Sequence, residues 1–169
     1  MPRVRPAAVA GRFYRKEPAA LAAQVDRLLA SVQPVAPTRR LRALIVPHAG
    51  YAYSAPIAAT AYARLRPLAS RIRRVALLGP AHFVAIAGLA IPDADAFETP
   101  LGRVALDLEE MRRLQSLAQV RVDAVAHARE HALEVQLPFL QRILGQFTLV
   151  PLVAGHAPPA EVATVLRAL

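Results

Sequence analysis

The sequence contains no cysteine, no tryptophan and a single lysine, and aromatic residues make up only 5% of it. The lack of cysteine excludes disulfide bonds, thiolate metal ligands and a cysteine nucleophile, which leaves His, Asp and Glu as the metal-binding side chains. No apolar run reaches the roughly 18 residues that a transmembrane helix needs, and Pro and Arg interrupt the N-terminal residues before a signal-peptide core forms. We therefore expect a cytoplasmic protein without a membrane partner.

The remaining composition is typical of one folded domain. Of the 169 residues, 55% are hydrophobic and 20% are charged, a balance that excludes an intrinsically disordered chain. The length suffices to bury a continuous core without disulfides. We predict a single domain over residues 1–169.

The charge is strongly positive, with 21 basic and 12 acidic residues and a net charge of +9. Almost all basic residues are Arg, and they are dispersed apart from short clusters at 39–42 and 71–74. The sequence has few aromatic side chains on which bases could stack. We expect no specific nucleic-acid partner, and non-specific association through Arg is kept as an alternative.

Stretches of helical periodicity alternate with short apolar runs along the chain. The pattern predicts helices over 18–31, 56–65, 107–117, 130–144 and 159–169. It predicts strands over 41–46, 74–78, 86–91, 103–106, 120–125 and 147–153. This alternation is typical of an α/β fold with a mostly parallel sheet and helices on both faces.

Three of the five histidines follow predicted strands. His48, His82 and His156 come shortly after the strands that end near residues 46, 78 and 153. In open α/β sheets, ligands bind outside the carboxyl ends of the strands, and imidazoles suit Fe, Zn or Cu. We predict a metal site at this edge, while the alternative for each histidine is a loop residue hydrogen-bonded to backbone. Tyr53, close to His48, is a candidate for binding substrate, or it packs over the sheet edge.

A second pattern, residues 127–131, reads His-Ala-Arg-Glu-His and matches the motif of inverted zinc proteases. On one continuous helix, His127 and His131 would share a face, and Glu130 would be the base. However, Glu130 fits better near a helix start, which leaves His127 in the preceding turn. The protease is therefore kept only as a weaker alternative.

Six stretches together resemble the Memo family, also called AmmeMemoRadiSam system protein B. Their order and spacing cover nearly the whole chain, which makes the resemblance more specific than a single motif. The stretches are PAAVAGRFY (6–14), VPHAGYAYS (46–54), LLGPAH (77–82), FETPLG (97–102), EHALEVQLPFLQ (130–141) and VPLVAG (150–155).

The resemblance implies the fold of class III extradiol dioxygenases, a three-layer α/β/α sandwich with a metal site in its cleft. It implies that His48 and His82 are metal ligands and that Glu130 and His131 belong to a signature near the cleft. We assign catalytic positioning to His131 or Tyr53. Phe83 stands where family members often have another histidine.

Family members usually continue for about another hundred residues. That portion carries a Ser-Asp-x-x-His segment and a late cysteine that complete the site. We expect this chain to lack it, so that Fe, Cu or Zn binds weakly or not at all unless His156 is a third ligand. The expected function is metal-dependent redox or dioxygenase-like chemistry on a small molecule. A non-enzymatic partner of a radical SAM protein is the alternative, and exposed strand edges favour a homo-oligomer.

Overall fold

The computed structural model describes residues 2–33 and 41–169, which form a mixed α/β structure with two sheets and six α-helices. The strands are β1 (Val4–Arg5), β2 (Arg74–Pro80), β3 (Leu89–Ile91), β4 (Ala96–Thr99), β5 (Gly102–Ala105), β6 (Val120–Val122) and β7 (Thr148–Ala154). The helices are α1 (Pro18–Ala30), α2 (Tyr51–Tyr62), α3 (Leu108–Leu114), α4 (Ala124–Ala128), α5 (Leu137–Leu144) and α6 (Pro159–Ala168). Two 3₁₀-helices cover Ala63–Arg71 and Glu134–Gln136.

The larger sheet has the strand order β2-β7-β3-β6. β2 is parallel to β7 and β3 is parallel to β6, whereas β3 runs antiparallel to β7. The smaller sheet has the order β1-β4-β5, with β1 parallel and β5 antiparallel to β4. The α/β prediction is therefore confirmed, but the strands form two mixed sheets where a single sheet was predicted.

The core lies between the larger sheet and the helices. In β7, the five residues 149–153 are all buried, as expected for an apolar strand covered on both faces. From α1, Leu21, Val25 and Leu29 enter the same core at helical spacing. The ring of Tyr62 in α2 stacks on that of Phe139 in α5, with 5.1 Å between centroids. Residues of α1, α2, α5 and β7 thus share one hydrophobic core.

The prediction of a strand over 41–46 is wrong, because the structure has no regular element there. A strand requires a neighbouring backbone to complete its ladder, and none of the described strands pairs with this segment. Ile45 is 99% exposed, so the apolar run is only partly covered. Apolar composition alone did not reveal this lack of a pairing partner.

The helix predicted over 130–144 begins later than expected. Residues 130 and 131 are irregular, residues 132 and 133 form a turn, and the 3₁₀-helix Glu134–Gln136 precedes α5, which starts only at Leu137 with Pro138 in its first turn. Proline lacks the N–H that an interior helical position would donate, and its fixed φ suits the first turn of a helix. Pro138 therefore marks the start of α5. The structure also contains β1, β4 and α4, which were not predicted.

None of the helices in the described part of the chain combines the length and the hydrophobicity needed to cross a bilayer.

Candidate metal centre

Three imidazoles meet beside the carboxyl end of β2. His48 precedes α2, His82 follows β2 by two residues, and His131 lies between α4 and α5. The ring centroids of His82 and His131 are 4.4 Å apart, and that of His48 lies 5.2 Å from His82 and 6.1 Å from His131. Three segments distant in sequence thus contribute one cluster, which we call the imidazole cluster.

The loop of His48 is fixed by hydrogen bonds from two directions. The Ser54 hydroxyl in α2 donates to the carbonyl of Ala49 over 2.7 Å. The Gln136 side-chain amide donates to the carbonyl of Pro47 over 3.1 Å. Both neighbours of His48 are therefore anchored, one to α2 and the other to the segment that leads into α5.

A glycine allows β2 to approach the loop that carries His131. A Cβ atom added to Gly79 would lie 2.9 Å from the Cδ2 atom of Leu133 and 3.1 Å from the Cβ atom of Ala132. A side chain at this position would push the end of β2 away from residues 132 and 133. Gly79 therefore permits the short distance between His82 and His131.

The carboxylate of Glu130 organises the cluster and is 2% exposed. Its Oε1 atom lies 2.9 Å from Nδ1 of His82 and accepts the backbone N–H groups of His131 and Ala132, each over 2.9 Å. Its Oε2 atom accepts the backbone N–H of His82 over 2.7 Å. Oε1 also lies 3.5 Å from Nδ1 of His131. One ligand atom from each of His82, Glu130 and His131 can be chosen so that all lie within 4.8 Å of one another.

The environment favours neutral imidazoles, the form that binds metals. Burial, together with the nearby His82, lowers the pKa of His48 and also that of His131, although Glu130 opposes both shifts. Burial raises the pKa of Glu130, but hydrogen bonds from Ala132 and His82 outweigh it and lower the pKa overall. The lowered pKa values of His48 and His131 therefore favour neutral rings beside an ionised Glu130 carboxylate.

Two phenylalanines border His131. The Phe13 ring lies 4.6 Å from the His131 ring, and the Phe83 ring lies edge-on at 5.9 Å. The guanidinium of Arg129 sits 5.0 Å from the centre of the Phe83 ring. His131 is thus bordered by two aromatic rings, one of which also contacts a cation.

The predicted site residues have different outcomes. His48 and His82 lie close together, and His131 lies with them, but only His82 follows a strand as the strand-end argument required. Neither His48 nor His156 is part of the group of neighbouring ligand atoms formed by His82, Glu130 and His131. His156 is exposed after β7, and Tyr53 is 85% exposed on α2. Their proposed roles as a ligand and a positioning residue stay predictions.

The inverted-protease arrangement is not formed. α4 ends at Ala128, so His127 and His131 do not lie on one continuous helix. His127 is 1% exposed, and its Nε2 atom lies 2.9 Å from the carbonyl oxygen of Ala90. His127 is therefore a core histidine, and the weaker alternative is wrong.

Sequence reasoning missed one buried ion pair near the cluster, between Arg5 and Glu134. Glu134 is fully buried and Arg5 is 5% exposed. The available signal was the position of Glu134, a single charge inside the mostly apolar stretch 132–140. A charge in such a stretch indicates a buried partner, but it does not identify the partner.

Comparison with known families gives a match over almost the whole chain. The model of the family described as Memo, Memo-like protein, matches residues 5–169.

Individual relatives agree with the family match. A MEMO1 family protein of Sulfolobus acidocaldarius is 40% identical over 168 residues, which cover 92% of this chain and 59% of the relative. A MEMO1 family protein of Aquifex aeolicus is 40% identical over 152 residues, 89% of this chain and 55% of the relative. The protein memo-1 homolog of Caenorhabditis elegans is 35% identical, over 91% of this chain and 44% of the relative. The chain therefore spans roughly half the length of these relatives.

Proposed function

Because this chain belongs to the Memo-like protein family, we propose that its imidazole cluster binds one divalent metal ion and acts there on a small molecule. The proposal assigns His48, His82 and His131 as the ligands. It replaces the earlier expectation of two imidazoles alone, since His131 supplies a third ring.

The hydrogen bonding of Glu130 carries this proposal. Its Oε1 atom lies 2.9 Å from Nδ1 of His82, which leaves Nε2 as the ligand atom of that ring. Nδ1 of His131 lies 3.5 Å from the same oxygen without a hydrogen bond to it. A carboxylate at the second nitrogen of an imidazole fixes the ring orientation and increases its basicity as a ligand. Both oxygens of Glu130 already accept hydrogen bonds. We therefore assign Glu130 the role of orienting the ligands and not that of a ligand.

The donor set fits the metals expected from the sequence. Neutral imidazoles suit Fe, Cu and Zn, and nothing in three nitrogen donors selects among them. Such an ion would supply a Lewis acid or a redox centre to a bound small molecule. Around it, Phe13 and Phe83 would exclude water from one side of His131, and Tyr53 would position the molecule. A dioxygenase-like activity and a sandwich fold like that of class III extradiol dioxygenases form the finer part of this proposal.

A second candidate function is a binding module in a radical SAM system. Exposed apolar side chains close to His48 in the sequence favour it, since Ile45 is 99%, Tyr53 85% and Ile57 62% exposed. Exposed apolar surface is typical of interaction sites. Binding of a radical SAM protein from the same organism that is weakened by Ile45→Ser but unaffected by His82→Ala would favour this function over the metal-dependent one.

The first prediction concerns metal affinity. We expect the chain to bind one Co²⁺ or Zn²⁺, and we expect Glu130→Gln to weaken that binding by about 10–100-fold, the usual effect of removing a partner that orients a metal ligand. The measurement is a metal titration followed by calorimetry and by visible absorption of Co²⁺.

The matched control for this titration is Glu109→Gln, which removes one exposed carboxylate from α3 outside the cluster. It should leave the affinity unchanged. The metal proposal fails if the wild-type chain shows no saturable binding, or if both variants reduce the affinity equally.

A further inference from the structure

The N-terminal residues 5–14 contact the two loops that carry His48 and His131 of the imidazole cluster. We call these residues the N-terminal brace. Arg5 belongs to β1 and is 5% exposed, and the chain then runs through Ala8 and Val9 to Phe13 and Tyr14. The brace contacts the turn before His131 and the loop after His48.

Arg5 holds the turn that leads into His131. Its Nε atom donates to the carbonyl of His127 over 3.0 Å, and one terminal nitrogen donates to the carbonyl of Glu130 over 2.6 Å. The other terminal nitrogen pairs with the Glu134 carboxylate. A guanidinium is planar, with its donors in fixed directions, so these three contacts set the position of the turn on both sides of residues 128 and 129.

Glu134 connects the same turn to the rest of the brace. Its carboxylate accepts the backbone N–H groups of Ala8 over 2.8 Å and of Val9 over 3.0 Å. It also accepts the hydroxyl of Tyr14 over 2.6 Å. Every one of these partners is in the brace, so both oxygens of the carboxylate accept hydrogen bonds from it.

Phe13 contacts the cluster from the other side. Its carbonyl accepts the backbone N–H of Tyr51 over 2.7 Å, at the first residue after the loop of His48. A Cβ atom added to Gly50 would lie 3.6 Å from both the Cα atom and the carbonyl oxygen of Phe13, so the two backbones are in close contact. The Phe13 ring packs against His131. One residue thus contacts the surroundings of two of the three imidazoles.

We propose that the N-terminal brace sets the geometry of the metal site, with Arg5 and Phe13 as positioning residues that do not touch the ion. This proposal rests on the proposed metal function. It gives a reason for the buried ion pair of Arg5 and Glu134, because apolar residues of similar volume often stabilise a fold as well as a buried ion pair does. A ligand set works only when its members are held to about 0.5 Å, and fixed hydrogen bonds from a planar guanidinium provide such a hold.

The test uses Arg5→Lys, which keeps the charge for Glu134 but has no planar fork for the carbonyls of His127 and Glu130. We expect the affinity for Co²⁺ to fall by about tenfold or more, with a changed visible absorption spectrum of the bound ion. The matched control is Arg3→Lys, which changes a largely exposed arginine that pairs with Asp93 and Asp95. It should change neither the affinity nor the spectrum.

A second variant keeps the proposal testable if Arg5→Lys does not fold. Phe13→Leu keeps the backbone contact with Tyr51 and removes only the ring beside His131, so we expect a spectral change and a smaller loss of affinity. If Arg5→Lys or Phe13→Leu lowers the melting temperature while the Co²⁺ affinity and spectrum stay those of the wild type, the brace is merely structural. If Arg5→Lys does not fold, the result for Phe13→Leu decides.

A measurement without metal separates this proposal from the metal function. Amide hydrogen exchange of the metal-free chain reports the backbone N–H groups of Tyr51, His131 and Ala132 directly. We expect Arg5→Lys to accelerate exchange at His131 and Ala132, and Arg3→Lys to leave it unchanged. If the wild-type chain binds no Co²⁺ but this acceleration is found, the metal function is wrong and the brace still fixes the turn. Unchanged exchange at both residues overturns the brace.

Discussion

Replacing Gly88 by alanine is expected to lower the free energy of unfolding by about 3–5 kcal/mol. Gly88 has a φ of +74°, a conformation that residues with a Cβ atom rarely adopt. An added Cβ would lie only 2.3 Å from the carbonyl oxygen of Gln119. This oxygen cannot move freely, because it accepts the backbone N–H of Leu89 over 2.8 Å at the start of β3.

The backbone of Gly88 is itself held on both sides. Its N–H donates to the carbonyl of His156, and its carbonyl accepts the N–H of Gly155, each over 3.0 Å. Relief of the clash would therefore break pairing next to β3 or β7. The conformational strain and the steric clash add up, which explains why the expected loss exceeds that for an ordinary surface substitution.

The matched control is Gly145→Ala, at the end of α5. Gly145 has a nearly equal φ of +69°, but no atom lies within 4 Å of the position of an added Cβ. Only the conformational cost of a sparsely populated backbone conformation remains, about 1–3 kcal/mol. Urea unfolding of both variants and the wild type measures the difference. Equal losses for the two variants would mean that the contact with Gln119 is relieved at little cost and that the fold here is more adaptable than its hydrogen bonds suggest.

Some parts of the fold could be predicted because they depend on local pattern. α1 and α6 begin at the prolines that were expected to open them, and β7 lies within one residue of the apolar run that predicted it. The position of His82 followed from the general rule for strand ends, whereas His48, which lies beside it, does not follow a strand. In each case the signal lies within a few neighbouring residues.

Other features depend on partners distant in the chain. The run 41–46 is as apolar as β2, yet only β2 has a neighbouring strand, and composition does not reveal pairing. Glu130 was predicted to lie in the first turn of a long helix. Instead, its carboxylate accepts hydrogen bonds from the backbone N–H groups of His131 and Ala132, which favours a turn over a helix. The partner of Glu134 lies at residue 5, near the other end of the sequence. Periodicity contains no information about such contacts.

Protonation of His127 is expected to lower the free energy of unfolding by about 3 kcal/mol in mild acid. Its imidazole is almost fully buried, and burial, aided by the charge of Arg5, lowers its pKa to about 4 from the ordinary 6.5. Between these two pH values the unfolded chain binds a proton that the folded chain does not. The stability gained from the neutral imidazole is therefore fully present above pH 6.5, falls as the pH drops, and is gone below pH 4.

The comparison that isolates this effect uses His127→Gln. Glutamine can still donate a hydrogen bond to the carbonyl of Ala90, which the Nε2 atom of His127 contacts at 2.9 Å, but it does not titrate. We expect the free energy of unfolding of the wild type, relative to this variant, to fall by about 3 kcal/mol between pH 7 and pH 4 in urea titrations. The pKa values of His48 and His131 are also lowered, but protonation of these residues destabilises both proteins equally. Their contribution therefore cancels in the difference.

The control variant Thr164→Ser changes an exposed side chain of α6 that does not titrate, and its curve against pH should run parallel to that of the wild type. If the curve of His127→Gln is also parallel to the wild-type curve, His127 takes up its proton in the folded chain without penalty. That outcome would require an acceptor for the Nδ1 atom of His127, which is buried and has no hydrogen-bond partner in the described residues. The turn held by Arg5 would then have to open in mild acid, because the carbonyl of His127 is one of the two that Arg5 binds there.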